Sequence, residues 1–406
     1  MTEFVANQIN ESVISLVGEP GPAKELSDYF SFRPPGYQFS PKFKNKVWDG
    51  FVRLYNRRDR NLPVGLWPVF SQFCKERGYG CESSLIEHDP EDIESVNEFL
   101  NNLVLWDGKE AMTSRDYQME ATIHGVEKLR TILVCPTASG KSLIAYLLVR
   151  FMKEFHPNQK ILMIVPSVSL VKQMRNDFKE YSFKDDGFDV ESECHWISSG
   201  AEKTHHTRLT VTTWQSVQKL PADWFEDFTM TIADEAHTVK ATQLTNIMNN
   251  LINSRFRIGM TGSLDDSTIN RLVLTGLMGI PHVVTTTKKL IDRKILSDFK
   301  IEAIRLEYTE DERKALAFVK EKGKKTRKAS YQEELSFIEN HSGRTDTVSM
   351  IALAGAEKNG LVLFRKREHG KSLAERIRAL LPDKRKVFYI DGNVDPDVRE
   401  SIRKSV

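Results

Sequence analysis

Eight residues in the first half of the chain have the types and order of a phosphate-binding loop. They are Cys135-Pro136-Thr137-Ala138-Ser139-Gly140-Lys141-Ser142, and an apolar run rich in β-branched residues comes directly before them. After them, apolar residues recur at helical spacing. A strand, a tight loop and a helix in this order bind phosphate through backbone N–H groups at the helix N-terminus. The sequence therefore predicts a phosphate site in which Lys141 adds positive charge and Ser142 ligates Mg²⁺.

One position departs from the strict pattern of such loops, which has glycine where this chain has Cys135. A short Gly-Lys-Ser sequence also occurs in ordinary surface turns, so a turn without a ligand is the alternative. The residues assigned to the predicted nucleotide site in this loop are Pro136, Thr137, Ala138, Ser139, Gly140, Lys141 and Ser142.

Two adjacent carboxylates, Asp234 and Glu235, follow an apolar run that ends at Ala233. In a parallel sheet, residues just past the strand ends meet at one edge, where ligands bind. An acid there can hold Mg²⁺ through water, and a second one can orient or deprotonate an attacking water. The pattern predicts that Lys141 and Asp234 meet around a bound triphosphate.

Alternating strand and helix patterns surround these residues and predict an α/β fold with a parallel sheet covered by helices. The predicted strands are 131–134, 161–165, 209–213, 228–233 and 256–261, and a helix is predicted over 169–181. We predict three parts: a small basic N-terminal α/β domain at 1–106, a domain with the parallel sheet and the phosphate loop at 107–295, and a further partial unit at 296–406.

Composition limits the classes of function without selecting one. The chain of 406 residues has 58 Lys plus Arg against 56 Asp plus Glu, so its net charge says little about partners. No apolar run approaches the ~18 residues that span a bilayer, and no signal peptide is visible. We therefore expect a cytoplasmic protein with four free cysteines and no membrane partner. A zinc site at Cys74, Cys81 and His88 is disfavoured because its spacing matches no usual ligand pattern.

A basic and aromatic stretch between residues 31 and 60 predicts contact with nucleic acid. It contains eight Lys or Arg residues against two acids, interleaved with aromatic residues. Basic groups neutralise phosphates and aromatic rings stack on bases. We assign Lys44, Arg57, Arg58 and Arg60 to this surface and expect the aromatic residues to lie in the domain core. The alternative is a solvated surface. Further along, Asp89 is the predicted N-cap of a helix that spans 91–103.

Several segments together resemble the motifs of superfamily 2 helicases. Asp234-Glu235-Ala236-His237 is similar to the DEAH form of motif II, and Arg115-Asp116-Tyr117-Gln118 resembles the adenine-recognising Q element. Val165-Pro166-Ser167 resembles motif Ia, Val211 to Ser216 resembles the next strand-contacting segment, and Thr261-Gly262-Ser263 occupies the place of motif III. The stretch from Gly36-Tyr37 through Lys42 and Trp48-Asp49-Gly50 to Gly65-Leu66 also resembles the small first domain of a phage helicase.

The resemblance implies that 107–295 is a RecA-like ATPase domain and that 296–406 is part of a second RecA-like domain. It also implies a role for each matching residue. Lys141 and Ser142 would hold phosphate and Mg²⁺, Asp234 the metal, and Glu235 would be the general base, while His237 would link the nucleotide to the nucleic-acid side. Gln118 would contact the adenine edge, with Tyr117 stacking and Arg115 nearby. The nucleic-acid contacts would be Pro166, Ser167, Thr213, Trp214 and Gln215. Ordinary packing is the alternative for Thr213 and Trp214.

The last part of the chain has patterns that resemble the opening of a second RecA-like domain. Strands are predicted at 301–308, 360–364 and 387–390, and a helix at 369–381. Because no segment resembles motifs V or VI, we interpret the chain as a shortened form that binds ATP and nucleic acid but hydrolyses ATP slowly.

The sequence thus predicts an ATP-dependent DNA helicase or translocase that uses ATP and Mg²⁺. The resemblance implies branched or forked DNA and RNA:DNA hybrids as substrates in recombination, repair and replication. It also implies a monomer, acting in the bacterial host cytoplasm if a phage encodes it. Two alternatives are a double-strand DNA translocase motor of a restriction-type complex and a nucleic-acid-binding protein with a vestigial ATP site.

Overall fold

The computed structural model describes residues 2–197, 203–204, 207–236, 241–263, 268–317, 327–355, 357–381 and 385–406. The chain divides into two compact units, Met1–Asp298 and Phe299–Val406. Among the described residues, no helix has the length and apolar character needed to cross a membrane. The predicted boundary near residue 106, inside the first unit, stays a prediction.

The strands and helices have the following bounds. The strands are β1 (Thr2–Gln8), β2 (Val13–Gly18), β3 (Ser31–Phe32), β4 (Val52–Arg53), β5 (Asn61–Pro63), β6 (Gly80–Ser84), β7 (Leu105–Trp106), β8 (Ala111–Met112), β9 (Arg130–Val134), β10 (Lys160–Val165), β11 (Cys194–Ile197), β12 (Leu209–Thr213), β13 (Phe228–Asp234), β14 (Phe256–Thr261) and β15 (Ile280–Val283). The helices of the first unit are α1 (Pro20–Tyr29), α2 (Pro41–Lys44), α3 (Trp67–Arg77), α4 (Ile93–Asn101), α5 (Asp116–Lys128), α6 (Lys141–Phe155), α7 (Val168–Tyr181), α8 (Val190–Glu193), α9 (Trp214–Val217), α10 (Ala241–Asn250), α11 (Thr268–Met278) and α12 (Thr287–Asp292). Those of the second unit are α13 (Glu310–Ala317), α14 (Tyr331–Asn340), α15 (Ser342–Ala354), α16 (Arg367–Leu380) and α17 (Pro396–Ser405).

A seven-stranded parallel sheet with the order β11-β12-β10-β13-β14-β9-β15 forms the centre of the first unit. Every residue of β12 and β14 is buried, because helices cover both faces of a parallel sheet. The α/β class with a parallel sheet is therefore confirmed, and so are the five predicted strands of this sheet. Strands β11 and β15, at the two edges, were not predicted, since they are short and mixed in polarity.

A second, smaller sheet belongs to the N-terminal part of the chain. Its order is β5-β2-β1-β6, with β1 antiparallel to β2 and parallel to β6. Helices α1 and α3 contribute Leu26, Phe70 and Phe73 to its own buried cluster. Helix α3 ends at Arg77 and is capped by Gly78, whose φ of 68° favours glycine.

Two arginines join the small sheet to the large one: Arg257, which is buried, and Arg130, whose side chain is 12% exposed. Arg257 is 1% exposed, and its guanidinium donates to the Ser12 hydroxyl at 2.6 Å and to the Leu251 carbonyl at 2.7 Å. Arg130 is ion-paired with the buried carboxylate of Glu11. Burial lowers the pKa of Arg257, the charge of Arg130 lowers it further, and Glu11 opposes both effects. Glu11 is therefore the counter-charge that lets two guanidinium groups stay buried.

Helix α4 begins later than the sequence indicated. Asp92, rather than Asp89, is its N-cap, because the Asp92 carboxylate accepts from the Ser95 N–H at 3.3 Å and from the Ser95 hydroxyl at 2.7 Å. The predicted span of 91–103 is two residues too long at each end, since the helix covers Ile93–Asn101.

The second unit is helical in its described residues. Helix α14 begins with a capping box between Ser330 and Glu333, and α16 confirms the predicted helix. The predicted strands at 301–308, 360–364 and 387–390 are wrong, because none of these segments forms a strand with any other part of the chain that the structure describes. Leu361 and Leu363 are 84% and 83% exposed. Their apolar pattern therefore does not correspond to burial in this structure.

Replacement of Glu11 by alanine should destabilise the first unit. The change leaves Arg130 and Arg257 buried without a carboxylate, which costs about 3 kcal/mol for a buried pair that loses one partner. Urea unfolding followed by circular dichroism measures the effect as a lower midpoint. Glu127→Ala is the matched control, because Glu127 pairs with Lys128 on the surface and its loss should leave the midpoint unchanged. Equal urea midpoints for the two variants would contradict the stabilising role of Glu11.

Candidate functional site

The predicted phosphate loop connects β9 to α6, as the sequence indicated. Gly140 precedes the first residue of the helix with a φ of 83°. A Cβ at this position would lie 2.2 Å from the Gln118 Nε2 atom, so both backbone and space require glycine. Ala138 also has a positive φ, 64°, which costs an ordinary residue about 1–2 kcal/mol. Strain of this kind is found at ligand-binding loops.

Lys141 lies at the edge of the sheet against Glu235. Its Nζ atom is 3.0 Å from the Glu235 carboxylate and 3.4 Å from the Cys135 carbonyl oxygen. Glu235 itself has a φ of 46°, and its second carboxylate oxygen accepts from the Gly262 N–H at 3.4 Å. The loops after β9, β13 and β14 therefore meet at one point. In this arrangement, Glu235 neutralises the positive charge of Lys141 that a bound phosphate would need.

Asp234 is the last residue of β13 and is buried. Its carboxylate and the Lys141 ammonium both act on the thiol of Cys135. Burial raises the pKa of that thiol to about 12, Lys141 and Ser139 oppose the rise, and Asp234 adds to it. Cys135 is therefore a protonated, buried thiol beneath the loop, and both predicted phosphate-site charges are close to it.

The predicted adenine-recognising residues contact the phosphate loop directly. The Gln118 Nε2 atom and the Tyr117 hydroxyl both donate to the Ser139 carbonyl, at 2.9 and 3.0 Å. The Gln118 Oε1 atom accepts from the Arg115 N–H at 2.8 Å and so caps α5. Both side chains are buried, with Gln118 1% exposed. The structure thus brings these residues to the loop, while their contact with a base stays a prediction.

Three residues near the candidate nucleotide site were missed by sequence reasoning. The Ser142 hydroxyl is 2.9 Å from the hydroxyl of Tyr181, the last residue of α7. Burial raises the pKa of Asp177, one turn earlier, and its hydrogen bonds with Ser142 and Gln173 act against that rise. Near the Q element, the Arg293 guanidinium is 5.7 Å from the Tyr117 ring centre and pairs with Asp116 at 2.9 Å. No local pattern predicts these contacts, because the partners are far apart in the chain.

The first two predicted nucleic-acid segments lie on neighbouring strands. Val165 of β10 is in register with Thr213 of β12, so Pro166 and Trp214 follow adjacent strand ends. Ser167 caps α7 and accepts from the Leu170 N–H at 3.4 Å.

The exposure of the second segment differs along its length. Gln215 is exposed, Thr213 is buried, and Trp214 packs partly against the apolar core. The packing alternative for Thr213 and Trp214 therefore has support, while Gln215 is open to solvent.

The predicted basic residues of the N-terminal part are all on the surface. Lys44, Arg57, Arg58 and Arg60 are exposed, and none of them forms an ion pair with another described residue. The three arginines lie in a turn before β5, in which the Asn56 side chain accepts from the Arg58 N–H at 3.0 Å. Their charges are therefore available to an anionic partner.

The expectation that the aromatic residues of this stretch form the domain core is largely wrong. Tyr55 is buried in the core, but Phe39 is 70% exposed. Tyr37 and Phe51 are half-buried around Arg33, whose guanidinium is 5.0 and 4.4 Å from their ring centres. The segment between β3 and β4 thus forms a separate small cluster of aromatic rings and cations.

His237, which the sequence assigned to the link between the nucleotide and the nucleic-acid side, lies outside the described residues.

The fold and the site together define the core of a superfamily 2 helicase. A family model described as "Type III restriction enzyme, res subunit" matches residues 111–266, and one described as "DNA helicase UvsW, N-terminal" matches residues 12–83. The DNA 3'-5' translocase XPB2 of Sulfurisphaera tokodaii is 27% identical over 206 residues, which are 51% of this chain and 43% of that protein.

A longer match fixes the family. The ATP-dependent DNA helicase uvsW of Enterobacteria phage T4 is 33% identical over 389 residues, which cover 93% of this chain and 73% of that protein. A crystal structure of T4 UvsW has a TM-score of 0.64 at 31% identity, covering 100% of this chain and 78% of that one. The chain belongs to the UvsW family and is an ATP-dependent DNA helicase.

The donor set at the site fits a hard divalent cation. Ser142 offers a hydroxyl oxygen and Asp234 a carboxylate, and Mg²⁺ takes few protein oxygens together with phosphate oxygens and water. The described residues contain no cluster of three or more His, Cys, Asp or Glu side chains that could cage a metal ion without such help.

Replacement of Glu235 by glutamine should strengthen nucleotide binding and abolish turnover. The amide keeps the shape of the side chain but releases Lys141 from the ion pair, which is only partly exposed and worth about 1 kcal/mol. We expect a few-fold lower Kd for a fluorescent ATP analogue, measured by equilibrium titration. Lys141→Ala should instead lose the affinity. A weaker Kd in Glu235→Gln would contradict the competition between Glu235 and phosphate.

Proposed function

We propose that ATP binds at the edge of the large sheet and that its hydrolysis moves the protein along DNA. The contact of Lys141 with Glu235 across three strand ends carries this proposal, because it gathers a phosphate-binding cation and a carboxylate base in one place. Lys141 neutralises the phosphates, Ser142 and Asp234 hold Mg²⁺, and Glu235 orients and deprotonates the attacking water. The bound Mg²⁺ supplies charge neutralisation of the triphosphate.

The nucleotide base and the DNA strand contact other parts of the same unit. Arg115, Tyr117 and Gln118 hold the adenine beside the phosphate loop, and His237 links this site to the DNA side. The loop residues from Pro136 to Gly140 surround the phosphates with backbone N–H groups, except at the proline. Pro166, Ser167, Thr213, Trp214 and Gln215 contact the DNA backbone, which carries no sequence information.

The substrates of this proposal are branched or forked DNA and RNA:DNA hybrids, in recombination, repair and replication. The similarity to T4 UvsW over 93% of the chain supports a shared substrate class. We further propose that the protein acts as a monomer in the cytoplasm of a bacterial host. Its parts are 1–106 for DNA recognition, 107–295 for ATP binding, and 296–406 as part of a second RecA-like domain.

The substrate proposal is tested by ATP hydrolysis measured with equal amounts of single-stranded, duplex, forked and four-way DNA and an RNA:DNA hybrid. Forked and four-way DNA should stimulate hydrolysis more than linear duplex of the same length, because the proposal places recognition at the branch. Lys141→Ala is the control and should remove stimulation by every substrate. Equal stimulation by linear and branched duplex would overturn the proposed substrate class.

A second candidate is translocation on duplex DNA without strand separation. The match of residues 111–266 to the restriction-subunit family and the similarity to a DNA translocase favour it. The two activities separate in one experiment, since a translocase displaces a third strand from a triplex but leaves the duplex paired, whereas a helicase releases a strand of the duplex.

Replacement of Arg57, Arg58 and Arg60 together by alanine should flatten the salt dependence of DNA binding. Each phosphate contact contributes about 0.9 to the slope of log K against log salt, so the slope should fall by up to about one per residue. Fluorescence anisotropy of a labelled duplex at several salt concentrations measures it. Alanine at the exposed residues Lys24, Lys75 and Lys109 removes the same charge elsewhere and is the control. An unchanged slope would make these arginines ordinary surface residues.

A further inference from the structure

The hydroxyl of Ser142 is held by two groups of helix α7 that the catalytic scheme does not use. Tyr181 places its hydroxyl 2.9 Å from the Ser142 Oγ atom, and the Asp177 carboxylate is close enough that Ser142 lowers its pKa against the effect of burial. Tyr181 and Asp177 are four residues apart, so they lie on the same face of the helix. Both groups therefore approach the serine from one side.

The surrounding rings fix the position of Tyr181. Its ring is 5.6 Å from the ring of Tyr146, which in turn contacts Phe178 at 5.3 Å. Tyr146 belongs to α6, one turn after Ser142, so the two helices are joined beside the hydroxyl pair. Tyr181 is half-buried and packs against the large apolar cluster. Its hydroxyl thus has little freedom to leave the serine.

A serine that ligates a cation uses an oxygen lone pair, so its hydrogen needs an acceptor on the other side. The Tyr181 oxygen is at hydrogen-bond distance and has lone pairs for that hydrogen. The Asp177 carboxylate lies near Ser142 on the same side and adds an acceptor group to that environment. With the hydrogen directed toward α7, the free lone pair of Ser142 is available to a ligand of the loop.

We propose that Tyr181, assisted by Asp177, is a positioning residue that orients the Ser142 hydroxyl for the divalent cation of the nucleotide. The proposal rests on the function proposed above, since it assumes that Ser142 is a ligand of Mg²⁺. Tyr181 itself touches neither nucleotide nor metal in this scheme. Its effect therefore appears in the cation dependence of nucleotide binding rather than in binding of the nucleotide alone.

Replacement of Tyr181 by phenylalanine tests this role, because it removes the hydroxyl and keeps the ring packing. We expect the Mg²⁺ concentration at half-maximal binding of a fluorescent ATP analogue to rise about three- to ten-fold, the size of one net hydrogen bond. The Kd of the same analogue measured in EDTA should stay unchanged. Asp177→Asn, as a second variant, should shift the Mg²⁺ dependence in the same direction and by less.

Two comparisons separate positioning from a merely structural role. Tyr146→Phe is the matched control, because the Tyr146 hydroxyl donates to Asp185 at 2.9 Å and should not affect Mg²⁺ dependence. In a Ser142→Ala background, Tyr181→Phe should have no further effect on Mg²⁺ dependence, since the hydroxyl to be oriented is gone. An equal shift with and without Ser142, or no shift, would overturn the proposal for Tyr181. If the wild type and Lys141→Ala bind the nucleotide equally, the proposed function itself fails.

Discussion

The contact between Lys141 and Glu235 depends on the order of strands in the large sheet. Their strands, β9 and β13, are separated by β14, and the residue after β14 is Gly262. The Gly262 N–H donates to Glu235, and a Cβ on Gly262 would lie 3.7 Å from the Lys141 Nζ atom. Three parallel strands therefore deliver a cation, a backbone donor and a carboxylate to one place. A strand order with further strands between β9 and β13 would separate Lys141 from Glu235, since adjacent strands are about 4.8 Å apart.

At their other ends, strands β9 and β14 contact the N-terminal part of the chain. Arg130 is the first residue of β9 and Arg257 the second residue of β14, and both contact the segment that contains Glu11 and Ser12. A strand of five residues spans about 17 Å. The contact with the N-terminal sheet and the candidate nucleotide site therefore lie at opposite ends of the same short strands. The N-terminal sheet is thus attached to the strands that position the predicted phosphate loop. The attachment uses Arg130, Arg257 and Glu11, and removing one charge from such a group is strongly destabilising.

The sequence alone predicted a strand correctly where its run of apolar residues is buried in the folded protein. Strands β10 and β12 were predictable because a parallel strand covered on both faces needs an unbroken run of residues that tolerate burial. The segment 360–364 has the same apolar pattern yet forms no strand, because a strand exists only through its partner, which no single segment encodes. The choice of Asp92 over Asp89 depended on a hydrogen bond with Ser95. The contacts of Ser142 with Tyr181 and of Tyr117 with Arg293 join residues far apart in the chain and leave no periodic signal.

Helix α7 connects two functions that the sequence assigned to separate motifs. It begins directly after Pro166 and Ser167, which are proposed to contact DNA, and ends at Tyr181 on the Ser142 hydroxyl. Its 14 residues span about 21 Å, a distance over which a packed helix moves as one body. Because α7 packs on α6 through the rings of Tyr146 and Phe178, we expect a displacement of its first turn to alter the contact at its last residue. The proposed DNA contacts and the proposed metal ligand Ser142 are therefore linked through one helix rather than through the loops of the sheet.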